Sequence, residues 1–524
     1  MPITDILARN AALYGEDVSL VELDPDAGVR RELTWTDFDR FANRIANALL
    51  SSGIKRGDKV AILMMNCLEW LPVYFGVLKT GALAVPLNFR YTAGEIRDCL
   101  AIAEADMLMF GPEFIERVTS ELENIKVKKY IYVDGNGAKA PDFAVALEDF
   151  TKGSSDIAPD IKLTDEDDAA LYFTSGTTGF PKAILHPHRS LTTSCETEMA
   201  HHHQTRGDCY LCIPPLYHTG AKMHWFGSLL SGSRAVLLKG VKPRTILKAI
   251  SDEQCTIVWL LVPWAQDILD AIDSGEVDLA EYKLDQWRLM HIGAQPVPPS
   301  LIKRWKKRFP NHEYDTNYGL SESTGPGCVH LGVENIDKVG AIGIPGYNWQ
   351  AKIVDDSKNE VPDGEVGELA VKGPGVMRCY YNDPKATAAV LRDGWLFTGD
   401  MAKREDGFIY LVDRKKDVII SGGENIFPVQ IEDHLRANEH IKDVAVIGLP
   451  EHRLGEIVAA IIEVKPGHTL TEADVNAFCS SLPRYKRPRK VIFDTVPRNP
   501  TGKIEKPKLR ERYCSQTIVE AQIL

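Results

Sequence analysis

The chain has 524 residues, too many for one ordinary hydrophobic core, so we expect two or more packed units, one of them large. Its 44% hydrophobic and 26% charged residues are typical of a globular protein and exclude a largely disordered chain. The net charge of −12 argues against a general affinity for nucleic acid or anionic membranes. The partners are therefore expected to be small molecules.

The first residues lack the basic start and apolar core of a signal peptide. The most apolar region, 60–87, is interrupted by Asn66, Glu69 and Lys79, so it is too polar to span a membrane. Ten scattered cysteines form no disulfide framework, as in a reduced compartment. We expect a cytoplasmic protein without a membrane span; a homodimer is left open.

From residue 33 to about 110, helical patterns such as 35–53 alternate with short apolar runs such as 59–65 and 83–88. The alternation continues through the apolar runs 210–216, 234–240, 256–263 and 288–294. This pattern predicts parallel strands covered by helices. Short strands and glycine turns from about Gly340 predict a smaller β-rich subdomain.

The polar run 413–416 is the best candidate for a linker, and the segment after it mixes strands such as 443–450 with helices such as 428–439. We therefore predict an α/β fold. It comprises a large N-terminal domain (1–412) of parallel-rich sheets flanked by helices, with the β-rich subdomain, a hinge (413–416), and a small α+β C-terminal domain (417–524).

Two motifs suggest a metal only weakly. Cys209 and Cys212 form a C-x-x-C within an apolar run, with no second pair, so we interpret them as part of a buried strand. The run 201–203 of three histidines lies at the expected end of a helix, where imidazoles suit the negative end of the dipole.

The most informative stretch is 171–182, LYFTSGTTGFPK. Its glycines permit close backbone approach, its hydroxyls and amides can donate to phosphate oxygens, and its lysine adds charge. A surface turn is the structural alternative. The stretch resembles the phosphate-binding signature of the adenylate-forming superfamily, which includes acyl-CoA synthetases. Further signatures of that family follow in order: PPLYHTG at 214–220, NYGLSES at 317–323, GWLFTGD at 394–400, DRKKDVIISGGENI at 413–426 and NPTGKI at 499–504.

The resemblance implies that the chain adenylates a carboxylic acid with ATP and Mg²⁺, then passes the acyl group to coenzyme A. The attack of one anion on another requires cations and fixed donors. The implied phosphate contacts are Thr174, Ser175, Gly176, Thr177, Thr178, Gly179 and Lys182. Glu322, with Thr178, is implied for Mg²⁺, and Asp400 and Arg414 for the ribose. The remaining nucleotide contacts are Gly293, Ala294, Gln295, Pro296, Asn317, Tyr318, Gly319 and Ser321, the last replacing a common threonine.

The resemblance also implies a catalytic Lys503 on the acyl and α-phosphate oxygens, delivered by a mobile C-terminal domain that turns about Lys416. Many relatives have aspartate at that pivot. Ser421, Gly422, Gly423 and Glu424 are implied to line the thiol passage. Tyr485, Arg487 and Arg489 are implied to contact coenzyme A, with a solvated face as the alternative. Leu454 stands where several relatives have tryptophan.

The implied acyl pocket contains His218 as its gate, together with Thr219, Gly220, Ala221, Trp225, Trp264, Gly319 and Gly325. The two indole rings occupy volume, which favours a cyclic, aromatic or short-to-medium-chain acid over a long chain. Core packing is the alternative for these residues. Two other activities stay open within the superfamily: loading of a carrier protein and a luciferase-like oxygenase.

Overall fold

A computed structural model describes residues 1–135, 137–174, 181–293, 297–498 and 504–523, and their side chains except those of Pro326 and 515–523. The α-helices in these ranges are α1 Ile3–Tyr14, α2 Trp35–Ser51, α3 Trp70–Lys79, α4 Ala93–Ala103, α5 Ile115–Ser120, α6 Leu147–Thr151, α7 His188–His201, α8 Thr219–Ser231, α9 Pro243–Asp252, α10 Val262–Asp273, α11 Pro299–Arg308, α12 Pro384–Val390, α13 Pro428–Arg436, α14 Glu472–Phe478 and α15 Lys506–Ile523.

The strands of the first two sheets are β1 Val18–Asp24, β2 Val29–Thr34, β3 Lys59–Leu63, β4 Leu83–Pro86, β5 Met107–Phe110, β6 Lys129–Tyr132, β7 Val145–Ala146, β8 Asp168–Thr174, β9 Lys182–Pro187, β10 Cys209–Cys212, β11 Arg234–Leu238, β12 Ile257–Leu261, β13 Leu289–Gly293 and β14 Glu313–Asp315. The later strands are β15 Asn317–Leu320, β16 Gly325–His330, β17 Ile344–Pro345, β18 Gln350–Val354, β19 Gly367–Lys372, β20 Cys379–Tyr380, β21 Leu391–Arg392, β22 Trp395–Glu405, β23 Phe408–Arg414, β24 Ile419–Ser421, β25 Glu424–Ile426, β26 Ile441–Glu451, β27 Gly455–Val464 and β28 Lys490–Phe493.

Two large sheets build the first part of the chain. One runs β14-β13-β12-β10-β11-β1-β2 and the other β20-β9-β8-β4-β3-β5-β6-β7. Most neighbouring strands are parallel, and β2, β9 and β20 pair antiparallel at the edges. Side chains of α1, α2, α3, α7 and α8 fill one core that includes strand residues of both sheets. The predicted α/β class is confirmed.

Local sequence explains these elements. Helix α2 begins where Thr34 accepts from Asp37 N and Asp37 reaches back to Thr34 N, a reciprocal cap that satisfies two unpaired donors. Strands β12 and β13 are buried on both faces, as expected of parallel strands between helices.

The β-rich part consists of a sheet β18-β19-β22-β21, extended by β23, and of the smaller sheet β15-β16-β17. The two-residue strand β20 leaves this part and pairs with β9 of the second large sheet. Residues after 417 form a fifth sheet, β25-β24-β27-β26 with β28 parallel to β27, covered by α13 and α14 on one face and α15 on the other. No helix among the described residues has the length and apolarity of a membrane span.

Candidate active site

Asp400 is the centre of a buried polar cluster. It follows Gly399, which adopts φ 72°, and lies opposite Arg414 in the antiparallel pair β22–β23. Tyr318 Oη donates to Asp400 Oδ2 at 2.5 Å, and Arg414 Nε lies 3.0 Å from Oδ1. Asp400 raises the pKa of Arg414, which therefore stays charged. The structure thus brings together three residues predicted to hold the nucleoside.

Glu322 belongs to a second polar cluster. Tyr380 Oη donates to Glu322 Oε1 at 2.7 Å, and Lys182 Nζ lies 4.9 Å from the centroid of the Tyr380 ring. Met377 N donates to Glu322 O at 2.8 Å and fixes the backbone. Glu322 Oε2 has no hydrogen-bond partner in the part of the chain that the structure describes. Since Mg²⁺ prefers carboxylate oxygen, this acid fits the predicted metal contact.

Tyr380 is a residue that the sequence did not reveal. It reaches Glu322 and Lys182 because β20 crosses to pair with β9, where Tyr380 stands opposite Ile184. Burial, and then the neighbouring Glu322, raise the pKa of Tyr380, so its hydroxyl keeps its proton and remains a donor. A two-residue strand carries no periodic signal that could have predicted this contact.

The backbone of Ser321 is held by a histidine that the sequence also did not reveal. His186 Nε2 donates to Ser321 O at 2.7 Å, and Thr324 Oγ1 lies 3.3 Å from His186 Nδ1. Burial lowers the pKa of His186 to about 4, so a neutral ring performs this task. Ser321 Oγ also lies 3.4 Å from Thr219 Oγ1, which connects this segment to the predicted acyl pocket.

His218 caps helix α8, since its Nδ1 accepts from Gly220 N at 3.1 Å. A Cβ on Gly220 would lie 2.8 Å from Trp259 Cη2, so glycine allows the indole ring to approach the helix. Gly325, at φ 95°, allows a similar approach to Thr219 and Met223. The predicted pocket residues Gly220 and Gly325 are therefore positions of close contact.

The tryptophans of the predicted pocket lie in different surroundings. Trp225 is fully buried, with its ring centroid 6.0 Å from that of Phe38 and 5.9 Å from that of Phe75. These contacts favour the core-packing alternative for Trp225. Trp264 is partly buried near the start of α10. Trp259, which the sequence analysis did not select, is the indole that contacts Gly220.

Several predicted residues lie outside the described ranges, so their roles stay predictions: Ser175, Gly176, Thr177, Thr178, Gly179, Ala294, Gln295, Pro296 and Lys503. The elements that flank them are described. Thr174 ends β8 opposite Lys182 at the start of β9, so the phosphate-type loop closes an antiparallel pair. Gly293 ends β13.

The residues predicted as the hinge, 413–416, span the end of β23 and the short turn after it. Lys416 is exposed in a short turn after β23. Buried Asp413 accepts from Val429 N at 2.9 Å and from Arg414 N at 2.7 Å, which ties the hinge to the start of α13. Burial raises the pKa of Asp413 to about 6.

The residues predicted for coenzyme A lie on the C-terminal sheet and its turns. Ser421 and Glu424 flank Gly422 and Gly423, which adopt φ 60° and 88° in an exposed turn. Tyr485 and Arg489 are exposed. Arg487 Nε donates to Leu482 O at 2.8 Å, which gives this arginine a structural contact within its own domain.

Comparison with known proteins identifies the family of the chain. The model of the AMP-binding enzyme family matches residues 7–381, and that of the AMP-binding enzyme C-terminal domain matches residues 430–503. A feruloyl-CoA synthase of Amycolatopsis sp is 32% identical over 96% of this chain and 100% of its own. The long-chain-fatty-acid–CoA ligase FadD13 of Mycobacterium tuberculosis is 31% identical over 94% and 95%.

Among solved structures, the anthranilate CoA ligase AuaEII in complex with anthranoyl-AMP matches with a TM-score of 0.90 and 25% identity, over 99% of this chain and 98% of that one. The chain belongs to the AMP-binding enzyme family, the adenylate-forming superfamily of the sequence signatures. Within it, the chain is an AMP-forming acyl-CoA synthetase, which uses ATP, Mg²⁺ and coenzyme A.

Proposed function

We propose that this synthetase activates a compact acid, cyclic, aromatic or of short-to-medium chain length, in the clusters around Asp400 and Glu322. One observation carries the proposal: the short segment 317–324 contacts three regions at once. Tyr318 binds Asp400, and Glu322 binds Tyr380 beside Lys182. Ser321 meets Thr219. A nucleoside, its phosphates and an acyl group would thus share one rigid segment.

The proposed roles follow from charge and hydrogen-bond capacity. The carboxylate of Asp400 accepts from the ribose hydroxyls, with Arg414 as a second contact. Lys182 and Lys503 place positive charge beside the phosphates, where charge grows as the carboxylate attacks the α-phosphorus. Glu322 would hold Mg²⁺, which when bound lowers the repulsion between the two anions.

The size of the acid is proposed from the indole beside α8. The Trp259 ring contacts Gly220, so it occupies volume next to the predicted gate His218. One relative is named for a feruloyl group and another, at similar sequence identity, for long-chain fatty acids. Sequence identity alone therefore does not indicate the chain length of the acid. The bulk of the indole favours the compact acid.

For thioester formation, we propose that residues 417–524 rotate about Lys416. This motion would present the glycine turn of residues 421–424 to the thiol of coenzyme A. The exposure of that turn and of Tyr485 and Arg489 supports access by a large cosubstrate. We place the enzyme in the cytoplasm as part of the same proposal.

The test is a Mg²⁺-dependent screen of carboxylic acids with ATP and coenzyme A that follows AMP and acyl-CoA, with Lys503→Ala in parallel. We expect acid-dependent AMP with equal acyl-CoA, weakened in the variant. A yield that rises from C6–C8 acids to C16 would refute the compact acid. Pyrophosphate release with acyl transfer only to a carrier protein, or oxygen consumption with a luciferin, would refute the proposed acceptor.

A further inference from the structure

A buried network of acids and histidines lies behind the predicted acyl pocket. Glu198 on α7 and Asp315 on β14 are both fully buried, and histidines from four elements surround them. These are His202 after α7, His224 on α8, His291 on β13 and His330 on β16, each at most 3% exposed. The prediction that α7 ends at the histidine run is confirmed, but His202 points into this network.

Both carboxylates have several donors. His224 Nδ1 lies 2.6 Å from Glu198 Oε2, and Asn317 Nδ2 donates to Oε1 at 3.2 Å. His202 Nε2 and His330 Nδ1 each lie 3.0 Å from Asp315 Oδ2. A buried carboxylate is stable when ionised only if such donors replace water. Glu198 Oε2 and Asp315 Oδ2 thus each have a ring nitrogen within 3.0 Å, whereas His330 Nε2, 3.7 Å from Glu198 Oε1, has no hydrogen bond among the described residues.

The network assigns tautomers to His224 and His291. Burial lowers the pKa of His224, and burial together with the nearby His224 lowers that of His291 to about 3, so both rings are neutral. Although burial lowers it, the pKa of His202 is raised on balance by Glu198 and Asp315. His202 Nε2 lies 3.0 Å from the carboxylate oxygen Asp315 Oδ2, so Nε2 carries a proton, which also faces His291 Nδ1 at 3.0 Å. His291 therefore carries its proton on Nε2, whereas His224 donates from Nδ1 and keeps a lone pair on Nε2.

In the described ranges of the chain, three ring nitrogens of this network and the adjacent Trp259 Nε1 have no hydrogen-bond partner. The ring nitrogens are His224 Nε2, His291 Nε2 and His330 Nε2, the last facing Glu198. Trp259 is 3% exposed, and its ring centroid lies 4.5 Å from that of His224. Other buried indole nitrogens, such as Trp305 Nε1, are also unpaired. Here the unpaired atoms of Trp259, His224 and His291 lie on three adjoining rings, and this grouping suggests a partner from outside the chain.

Two of these atoms lie beside Gly293, a residue predicted to contact the nucleotide. A Cβ on Gly293 would lie 3.9 Å from Trp259 Nε1 and 4.0 Å from His291 Nε2, so both N–H groups border the same point at the end of β13. The far edge of the Trp259 ring contacts Gly220 at the start of α8. The cluster therefore stands between two residues predicted to contact the acyl-adenylate.

We propose that the acid substrate carries a hydroxyl group that this cluster binds. The hydroxyl oxygen accepts from Trp259 Nε1–H and His291 Nε2–H, and the hydroxyl hydrogen is donated to His224 Nε2. Two donors and one acceptor match a hydroxyl, whereas a methyl or a hydrogen leaves all three unpaired. The inference rests on the proposed function, since it names the class of acid that the same pocket takes.

The test compares matched acids that differ by one hydroxyl. Phenylpropanoic and cyclohexanecarboxylic acids, plain and hydroxylated at each ring position, are assayed by acid-dependent pyrophosphate exchange and by acyl-CoA formation. A site built to hydrogen-bond a hydroxyl can reject the analogue without it by about 10⁴–10⁵-fold. We expect kcat/KM for one hydroxylated isomer to exceed that of its plain acid by at least about tenfold.

Trp259→Phe removes one N–H and keeps an aromatic ring. We expect it to lower the ratio of kcat/KM for the hydroxylated acid to kcat/KM for the plain acid by about tenfold or more. Trp305→Phe is the matched control, because Trp305 Nε1 is also buried without a partner among the described atoms but lies in the core around α11. Both variants should keep the wild-type fold by circular dichroism.

The outcomes separate the two proposals. If plain acids form acyl-CoA as fast as every hydroxylated isomer, the hydroxyl site is overturned, whereas the proposed ligase function stands. A preference for hydroxyl unchanged in Trp259→Phe would also overturn it. Stoichiometric zinc in the purified enzyme would assign the histidines to a metal instead. Absence of activation for every acid would overturn the proposed compact-acid function, and the hydroxyl site with it.

Discussion

Replacing Asp400 by asparagine tests the central cluster of the nucleotide site. The side chain of Asp400 is 6% exposed and that of Arg414 is 46% exposed. The Tyr318 hydroxyl donates to the buried carboxylate of Asp400. Loss of this hydrogen bond to a charged acceptor should cost about 1.5–3 kcal/mol. The half-exposed Arg414 pair should contribute at most about 1 kcal/mol. We expect Asp400→Asn to lower the free energy of unfolding by about 1.5–4 kcal/mol.

Urea unfolding of the wild type, Asp400→Asn, Tyr318→Phe and the double variant measures this coupling. A double-mutant cycle should give a Tyr318–Asp400 interaction of about 1.5–3 kcal/mol. Asp406→Asn is the control, because Asp406 is exposed in the turn after the same strand and should change stability by less than about 0.5 kcal/mol. A coupling below about 0.5 kcal/mol would refute the reasoning.

The same variant separates stability from nucleotide binding. If Asp400 accepts from the ribose hydroxyls, Asp400→Asn that remains folded at 25 °C should raise KM for ATP by about tenfold or more, since a charge-assisted hydrogen bond is lost. An unchanged KM for ATP in the folded variant would contradict the ribose contact, and the role of Asp400 would then be limited to its structural contacts with Tyr318 and Arg414.

Three further perturbations follow from single contacts. Tyr380→Phe removes the donor to Glu322 and should weaken Mg²⁺-dependent kcat/KM for ATP about tenfold, whereas Tyr381→Phe should not; equal effects would count against it. Burial lowers the pKa of Lys222, so the unfolded chain binds an extra proton and stability should rise with pH up to about 10; urea unfolding of Lys222→Met should show no such rise. Trp225→Phe should cost about 1–3 kcal/mol in urea unfolding without changing acid selectivity; a shift toward longer acids would restore its pocket role.

Much of the fold could be predicted because its signals are local. Parallel strands buried on both faces read as continuous apolar runs, and β12 and β13 lie where such runs occur. Strand β20 could not be predicted, since its two residues pair with β9, far away along the chain. Long-range pairing of so short a strand depends on tertiary packing, which no local pattern encodes.

The site was predictable only in part. Sequence signatures identified Asp400, Tyr318 and Arg414, and the structure brings them into contact. The sequence analysis selected Trp225 but not Trp259, and the pocket role of Trp225 stays a prediction. Residues of α8 from 219 to 229 are buried on every side, so the sequence does not say which face meets the pocket. His186 carried no signal, because a single histidine in an apolar strand has many structural explanations.

The two titrating groups near the site point to different origins of pH dependence. His186, with its pKa near 4, stays neutral above about pH 5, so its hydrogen bond to Ser321 O should not change around neutral pH. Asp413, with its pKa raised to about 6, holds a proton that the unfolded chain has lost, so its contribution to stability is full below about pH 4 and disappears as the pH rises through 6. The difference from the usual 3.8 corresponds to about 3 kcal/mol. Asp413→Asn should therefore flatten the stability profile between pH 4 and 6, and the same slope in variant and wild type would remove the hinge as its source.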